Sequence, residues 1–431
     1  MKLIRSKAET SIKSLNNVLN ILELSEKGQV LILIVLALAV LLGFAGLGID
    51  ESIAYSDHRQ AQNAADSAAL AAAIAKTANQ NYRDAAIFQI SNNGYKNGVN
   101  ATLTINNPPS DGSYSCDIHP DCKNYIQIKL KTTVKTSFVS VVGINQITNE
   151  VASVSMALKS TQEPFYSGAA IVALSPSACK AVSFTGRGNT VIDSSGIFVN
   201  SVCNNVSGNN PQNAFYFIGE GTLQASYVKI VGGAYVNPKK LNLDTPIASG
   251  VFSLPDINKA YIMPSPGCGG VGGVDPLNPT VATPGNYADF PPEGVTSMEP
   301  GIYCVDSLHI HDHLVGENIL FVLRGGVNIN GNAYVSLKGR TQGEFKGLLM
   351  YMLPAHAQNI NIDGNTASEF VGLILAPRSQ VTINGTGKSG HFIGQIVSDT
   401  IYFSGDKQMT IKYDQSAVYW PYTSPRVELV R

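Results

Sequence analysis

The densest group of metal-binding side chains in the sequence is His309-Ile310-His311-Asp312-His313. Imidazole nitrogens ligate zinc, copper or nickel. On a strand alternate residues face the same way, so His309, His311 and His313 would project together. Three ligands from one strand hold a tetrahedral ion poorly without a fourth from elsewhere. The expectation is therefore an exposed polar strand face, with these histidines the only metal candidates. Gly385-Thr-Gly387-Lys388-Ser389 ends like a phosphate-binding loop, but the position five before Gly387 must be glycine and is Thr382. Asp363, Asp399 and Asp406 are acids of the kind that line polysaccharide-degrading grooves, and nothing in their spacing pairs them. No Gly-x-Ser-x-Gly elbow and no Cys–His nucleophile occur. The expectation is a protein without catalytic residues and without a cofactor.

The elements that carry these residues begin with an apolar run from Val30 to Ile49 that holds no charge. At ~1.5 Å per residue it spans about 30 Å, the thickness of a hydrocarbon core. It is too long for the apolar core of a cleaved signal, so a retained single-pass anchor is expected. Lys2, Arg5, Lys7, Lys13 and Lys27 precede it, and Asp50, Glu51 and Asp57 follow. The positive-inside rule then leaves the N-terminus in the cytoplasm and exports the rest. Ile12, Leu15, Val18, Leu19 and Leu22 repeat at helical spacing and suit a short helix on the inner leaflet. Cys116, Cys122, Cys179, Cys203, Cys268 and Cys304 all follow the run, which fits disulfides in an oxidising compartment. Six cysteines allow fifteen connectivities, of which pairing of sequence neighbours is the simplest. A net charge of −1 offers no footprint for nucleic acid.

Beyond the run, Ala54, Ala61, Ala64, Ala65, Ala68, Ala72 and Ala75 follow at three-, four- and seven-residue steps and make a narrow helical face of small side chains. Such a face lets another helix approach closely, which points to partner subunits. Packing on the chain's own later domain, or a solvated stalk, gives the same pattern.

Gly28-Gln29, the apolar run, Gly43-Phe-Ala-Gly46-Leu-Gly48-Ile-Asp50 and Arg59-Gln-Ala-Gln-Asn-Ala-Ala-Asp-Ser-Ala-Ala-Leu-Ala-Ala-Ala73 stand in the order of the N-terminal domain of TadG/TadE-like proteins, which this segment resembles. The resemblance covers residues 28–75. It implies a role in assembly of Flp (tight-adherence) pili, with pilus machinery or pseudopilin subunits as partners. Lys27-Gly28-Gln29 lies where a prepilin peptidase would cut, between Gly28 and Gln29. Most type IV prepilins carry Glu at the fifth mature position, and Leu33 stands there. Asp193-Ser194-Ser195-Gly196 is similar to the start of a von Willebrand A metal motif, which some TadG proteins carry. Ile197 replaces its second serine, and no βα alternation surrounds it.

The expected fold is α+β to mainly β, in four parts. Residues 1–28 are a basic cytoplasmic tail, and 29–78 the membrane helix and Ala-rich stalk. Residues 79–162 form a small α+β unit, with period-two strands at 101–105, 125–131 and 151–157. Residues 163–431 form a β-rich domain with an irregular Pro/Gly insertion at 238–300. In that domain Ile329-Asn-Gly331, Ile362-Asp-Gly364, Ile383-Asn-Gly385 and Phe403-Ser-Gly405 echo one another, as do Gly347-Leu-Leu-Met350, Gly372-Leu-Ile-Leu375 and Gly394-Gln-Ile-Val397. Short strands recurring every ~20–25 residues suggest a β-solenoid, with a β-sandwich as the alternative. The domain also loosely resembles the β-domains that follow pilin-like anchors in some pilus-associated proteins.

Taken together, these readings suggest a non-enzymatic, membrane-anchored protein of pilus assembly or surface adhesion, whose outer ligand would be a surface polysaccharide. An anchored carbohydrate-active enzyme, or an envelope structural protein using the same anchor, are the alternatives.

Overall fold

The computed structural model describes residues 2–205, 212–331, 333–364, 368–385 and 390–430. The candidate cut between Gly28 and Gln29, the basic tail and the amphipathic pattern at 12–22 rest on side chains outside the described residues, as do Gly387, Lys388 and Ser389. The chain forms two compact units, residues 1–160 with 425–431, and residues 161–424.

Unit 1 begins with one unbroken helix, α1 (Lys2–Thr77). Within it, residues 30–49 are exposed except for Gly46, and an 18-residue window reaches a mean hydropathy of 3.1. A second helix, α2 (Tyr82–Asn92), starts where the Asn81 side chain accepts the Arg83 N–H at 3.0 Å. Three strands follow: β1 (Ala101–Asn106), β2 (Tyr125–Lys135) and β3 (Gln146–Leu158). They pair antiparallel, β1 on β2 and β2 on β3. The fourth strand is Arg426–Val430, the C-terminal end of the chain, antiparallel to β3. Residues 426–430 therefore leave the β-rich domain, to which sequence order assigned them. Unit 2 is an insertion between two neighbouring strands of unit 1.

The alanine face is where the structure most changes the sequence reading. Ala61, Ala64, Ala65, Ala68 and Ala72, with Ala69 and Ala73, are fully buried in unit 1's own core. They pack with Ile126, Ile128 and Leu130 of β2, Val151 and Ala157 of β3, and Ala86 and Ile90 of α2. Ala54 and Ala75 are buried at its two ends. The face is thus occupied from within the chain. Small side chains let the helix backbone come down onto the sheet, close enough for the Ser155 hydroxyl to donate to the Ala69 carbonyl at 2.7 Å. The segment is neither a contact face left open for partner helices nor a free stalk.

Unit 2 is built from short parallel strands stacked rung on rung. One ladder runs through Gly285–Phe290, Gly301–Ile310, Leu314–Leu323, Leu348–Met352, Glu369–Gly385 and Gly390–Gly405. It continues through Ile171–Ala173, Ile197–Val199, Val228–Ile230 and Ala248–Ser249. The strands recognised as repeats occupy matching positions: Ile362 faces Ile383, Gly364 faces Gly385, Gly372 faces Gly394 and Gly385 faces Gly405. The order of rungs is permuted. The last coil of the chain pairs with the first, Ile401–Phe403 against Val182–Phe184 and Met409–Lys412 against Thr190–Asp193. Both chain ends of the unit therefore lie in the middle of the stack, and its two ends are formed by residues 234–249 and 273–290.

This arrangement also corrects the reading of 238–300 as an irregular insertion. Leu241–Leu243, Ala248–Ser249, Asn278–Thr283, Gly285–Phe290 and Ser297–Met298 are rungs. Residues 250–272 connect one end of the stack to the other. At about 4.8 Å per rung that is a traverse of about 43 Å, well within reach of an extended segment of this length. Tyr261 and Ile262 pair with Thr423 and Tyr422 on the way. Disulfides join Cys268 to Cys304, Cys179 to Cys203 and, in unit 1, Cys116 to Cys122.

Candidate functional site

Asp50, Ala54, Asp57 and Ala61 are spaced by four, three and four residues, so they share one face of α1. The first two turns of the alanine face thus carry two carboxylates directly beyond the apolar run. Asp50 is buried. Its carboxylate accepts the backbone N–H groups of Ser137 at 2.9 Å, Phe138 at 2.8 Å and Val139 at 2.7 Å. These open the 3-10 turn Val139–Val142 in the connection between β2 and β3. The N–H donors, Ser137 foremost and then Val139 and Phe138, hold the Asp50 carboxyl below the usual aspartate range, against the opposing effect of burial.

Asp57, two turns on, accepts from the Tyr95 hydroxyl at 2.9 Å, from the Asn149 amide at 2.8 Å and from the Thr132 hydroxyl. Asn149 also donates to the Ala54 carbonyl at 3.0 Å. Burial, and then the Asp57 carboxylate, push the Tyr95 phenol well above its ordinary range. The two acids therefore fasten the helix to the hairpin tip and to the strands behind it. The sequence reading used both as charges for topology, and Asp50 also as part of the TadG/TadE-like pattern, but assigned neither a contact. Their register with the alanine face was the available signal, because an acid on a buried face needs hydrogen-bond donors.

The metal candidates are not brought together. Strand Gly301–Ile310 ends before His311, so the alternation that would align the three rings stops at His309. The His309 and His311 rings lie 6.3 Å apart, and His313 stacks on Tyr334 at 4.9 Å. Among the described residues no three His, Cys, Asp or Glu side chains gather as a metal site. Asp193 accepts the Ser194 hydroxyl at 3.0 Å, while Ser195 donates to the Gly168 carbonyl at 2.8 Å. Asp363 accepts from Asn384 at 2.6 Å, and Asn384 accepts from Ser404, a side-chain ladder along the stack. Burial raises the Asp399 carboxyl.

In unit 2 a cleft of about 380 Å³ is lined by Trp420, Tyr419, Glu344, Lys346, Gln415 and Gln162, among others. In unit 1 a groove of about 820 Å³ runs beside Asp50, between Phe44 and Leu47 on α1 and Val139, Ile144 and Ile147 on the hairpin.

No curated protein and no solved structure matches the chain. A family match does fall on the helix just described, and with the apolar run it marks a membrane-anchored protein related to pilus assembly. Residues 28–76, which contain the apolar run, Asp50, Asp57 and the alanine face, match the TadE/G-like Flp pilus-assembly family.

Proposed function

We propose that the chain is a non-enzymatic component of Flp/Tad-type pilus assembly or surface adhesion. Residues 30–49 hold it in the cytoplasmic (inner) membrane, with the N-terminus inside and both units outside. The observation that carries this reading is one helix in which a TadE/G-like segment and an apolar, uncovered run coincide. The orientation is supported by the lysines before the run and by three disulfides after it. Unit 2 serves as a β-solenoid spacer or adhesive body, and its partners are pilus-machinery or pseudopilin subunits. A surface polysaccharide suits the Trp420 cleft: aromatic rings stack on sugar faces, while amides and a carboxylate meet hydroxyls. A glycosidase site needs two carboxylates about 5–10 Å apart, and Glu344 is the carboxylate among the described residues that line this cleft. That favours binding over hydrolysis.

Deletion of the gene, with pilus counts by electron microscopy and a surface-attachment assay, tests the reading. Fewer pili or weaker attachment, restored by the full chain, is the expected result. Normal piliation together with normal attachment would overturn it.

A further inference from the structure

Of residues 30–49, Gly46 alone is buried among the described residues. Phe138 covers it: a Cβ placed on Gly46 would lie 2.6 Å from Phe138 Cγ. Asp50, one helical turn further along, holds the backbone of the same loop through the N–H groups of Ser137, Phe138 and Val139. Two independent contacts therefore fix the β2–β3 connection at the level of residues 46–50. At ~1.5 Å rise per residue, Gly46 lies about 6 Å inside the level of Asp50, at the end of the apolar run.

The largest side chains this loop exposes are apolar, and the exposed Ser137 and Asn145 flank them. Val141 is 88% exposed, Ile144 50% and Phe138 49%. A loop can enter lipid only if its backbone groups are satisfied without water. Here the Ser137, Phe138 and Val139 N–H groups go to Asp50. Val141 donates to the Phe138 carbonyl, Gly143 to Ser140, and Ile144 to Val139. The Ser140 hydroxyl donates to the Ser137 carbonyl at 2.8 Å. The tip thus carries an apolar surface on a loop whose N–H groups at 137–139, 141, 143 and 144 are satisfied within the protein, at the level of the end of the apolar run.

We propose that the tip of the β2–β3 hairpin, through Phe138, Val141 and Ile144, inserts into the bilayer leaflet from which α1 emerges. Unit 1 then rests on the lipid surface through two contacts, the helix and the hairpin tip. The occupant of this surface is the bilayer itself, because the patch is continuous with the run that crosses it. The proposal rests on the reading that residues 30–49 span a membrane.

The test uses the full chain reconstituted in phospholipid vesicles, with Trp420→Phe removing the native tryptophan. Single tryptophans are then introduced as Val141→Trp, Ile34→Trp and Val99→Trp. Val141 and Val99 are both largely exposed, so neither change crowds the core. Quenching is read with lipids spin-labelled near the headgroup or deep in the acyl chain. The expected result is loss of most Val141→Trp emission with the shallow label. Ile34→Trp, about 6 Å inside the far end of the run, should be quenched by both labels, and Val99→Trp by neither. Ile144→Trp repeats the measurement should Val141→Trp fail to fold. If the tip tryptophan behaves like Val99→Trp while Ile34→Trp is quenched, the proposal is overturned. If Ile34→Trp also escapes quenching, the spanning reading itself fails and the proposal falls with it.

Discussion

Phe184 lies flat on Phe403, with ring centroids 4.5 Å apart and planes 6° from parallel. The first belongs to the opening coil of unit 2 and the second to its closing coil, and their strands pair in parallel. This contact lies inside the core of the stack and ties the two chain ends of the unit together. Phe403→Ala should cost about 3–5 kcal/mol, the range for deleting a buried aromatic ring. Urea unfolding of the full chain in detergent measures it. A double-mutant cycle with Phe184→Ala should return a coupling of about 0.5–1.5 kcal/mol. Additive losses would show that the two coils do not support each other.

The alanine face is tight for a reason that can be measured. Ala68 is fully buried between α1 and the sheet of unit 1. Ala68→Leu must displace β2 or β3 or force strained rotamers, and should cost about 1–3 kcal/mol. Thermal unfolding followed by circular dichroism reads this directly. Were the face a docking surface for other helices, the isolated chain would tolerate the leucine.

Asp50 adds a pH dependence. Its carboxyl titrates lower in the folded protein than in an unfolded chain. Its contribution is therefore complete above the ordinary aspartate range and is lost as pH falls through the depressed folded value. Hydrogen exchange of the amides of Ser137, Phe138 and Val139, corrected for intrinsic rates, should be slow at neutral pH and accelerate in acid. Asp50→Ala should exchange fast at both. Equal protection of wild type and variant at neutral pH would contradict the three hydrogen bonds.

Glycine is required where rungs meet backbone to backbone. Gly394 sits at φ +150°, and a Cβ there would lie 1.9 Å from the Gly372 carbonyl oxygen. Gly250 also has a positive φ, +74°, but nothing lies within 4 Å of its Cβ position. Gly394→Ala should therefore destabilise unit 2 by more than the ~1–3 kcal/mol of backbone strain alone, and Gly250→Ala by no more than that strain. Comparison of their urea midpoints separates close approach from conformational preference.

Much of this architecture could be read from residue order. The apolar run, the acids and alanines that follow it, and the recurring Ile-x-Gly triplets are local patterns with short periods. Each states that a face is buried or that a rung recurs. Strands β1, β2 and β3 of unit 1 were legible for the same reason, as were the Ile-x-Gly echoes that stand in register in the stack.

The partner of each buried face was not legible. Alanines at helical spacing look the same whether they meet another subunit or, as here, the chain's own β2 and β3. The histidines at 309, 311 and 313 looked aligned because alternation was assumed to continue past Ile310, where the strand ends. Parallel pairing joins residues far apart in sequence, so no local pattern announces that the last coil of unit 2 lies against its first, or that residues 426–430 return to β3. The sequence by itself determined a helix long and apolar enough to cross a membrane, inside a TadE/G-like segment, and a β-rich remainder. Only the tertiary structure decided that Phe138 covers Gly46 and that Asp50 holds the loop in place. Contacts of that kind depend on where distant strands come to rest once both units have closed around their cores.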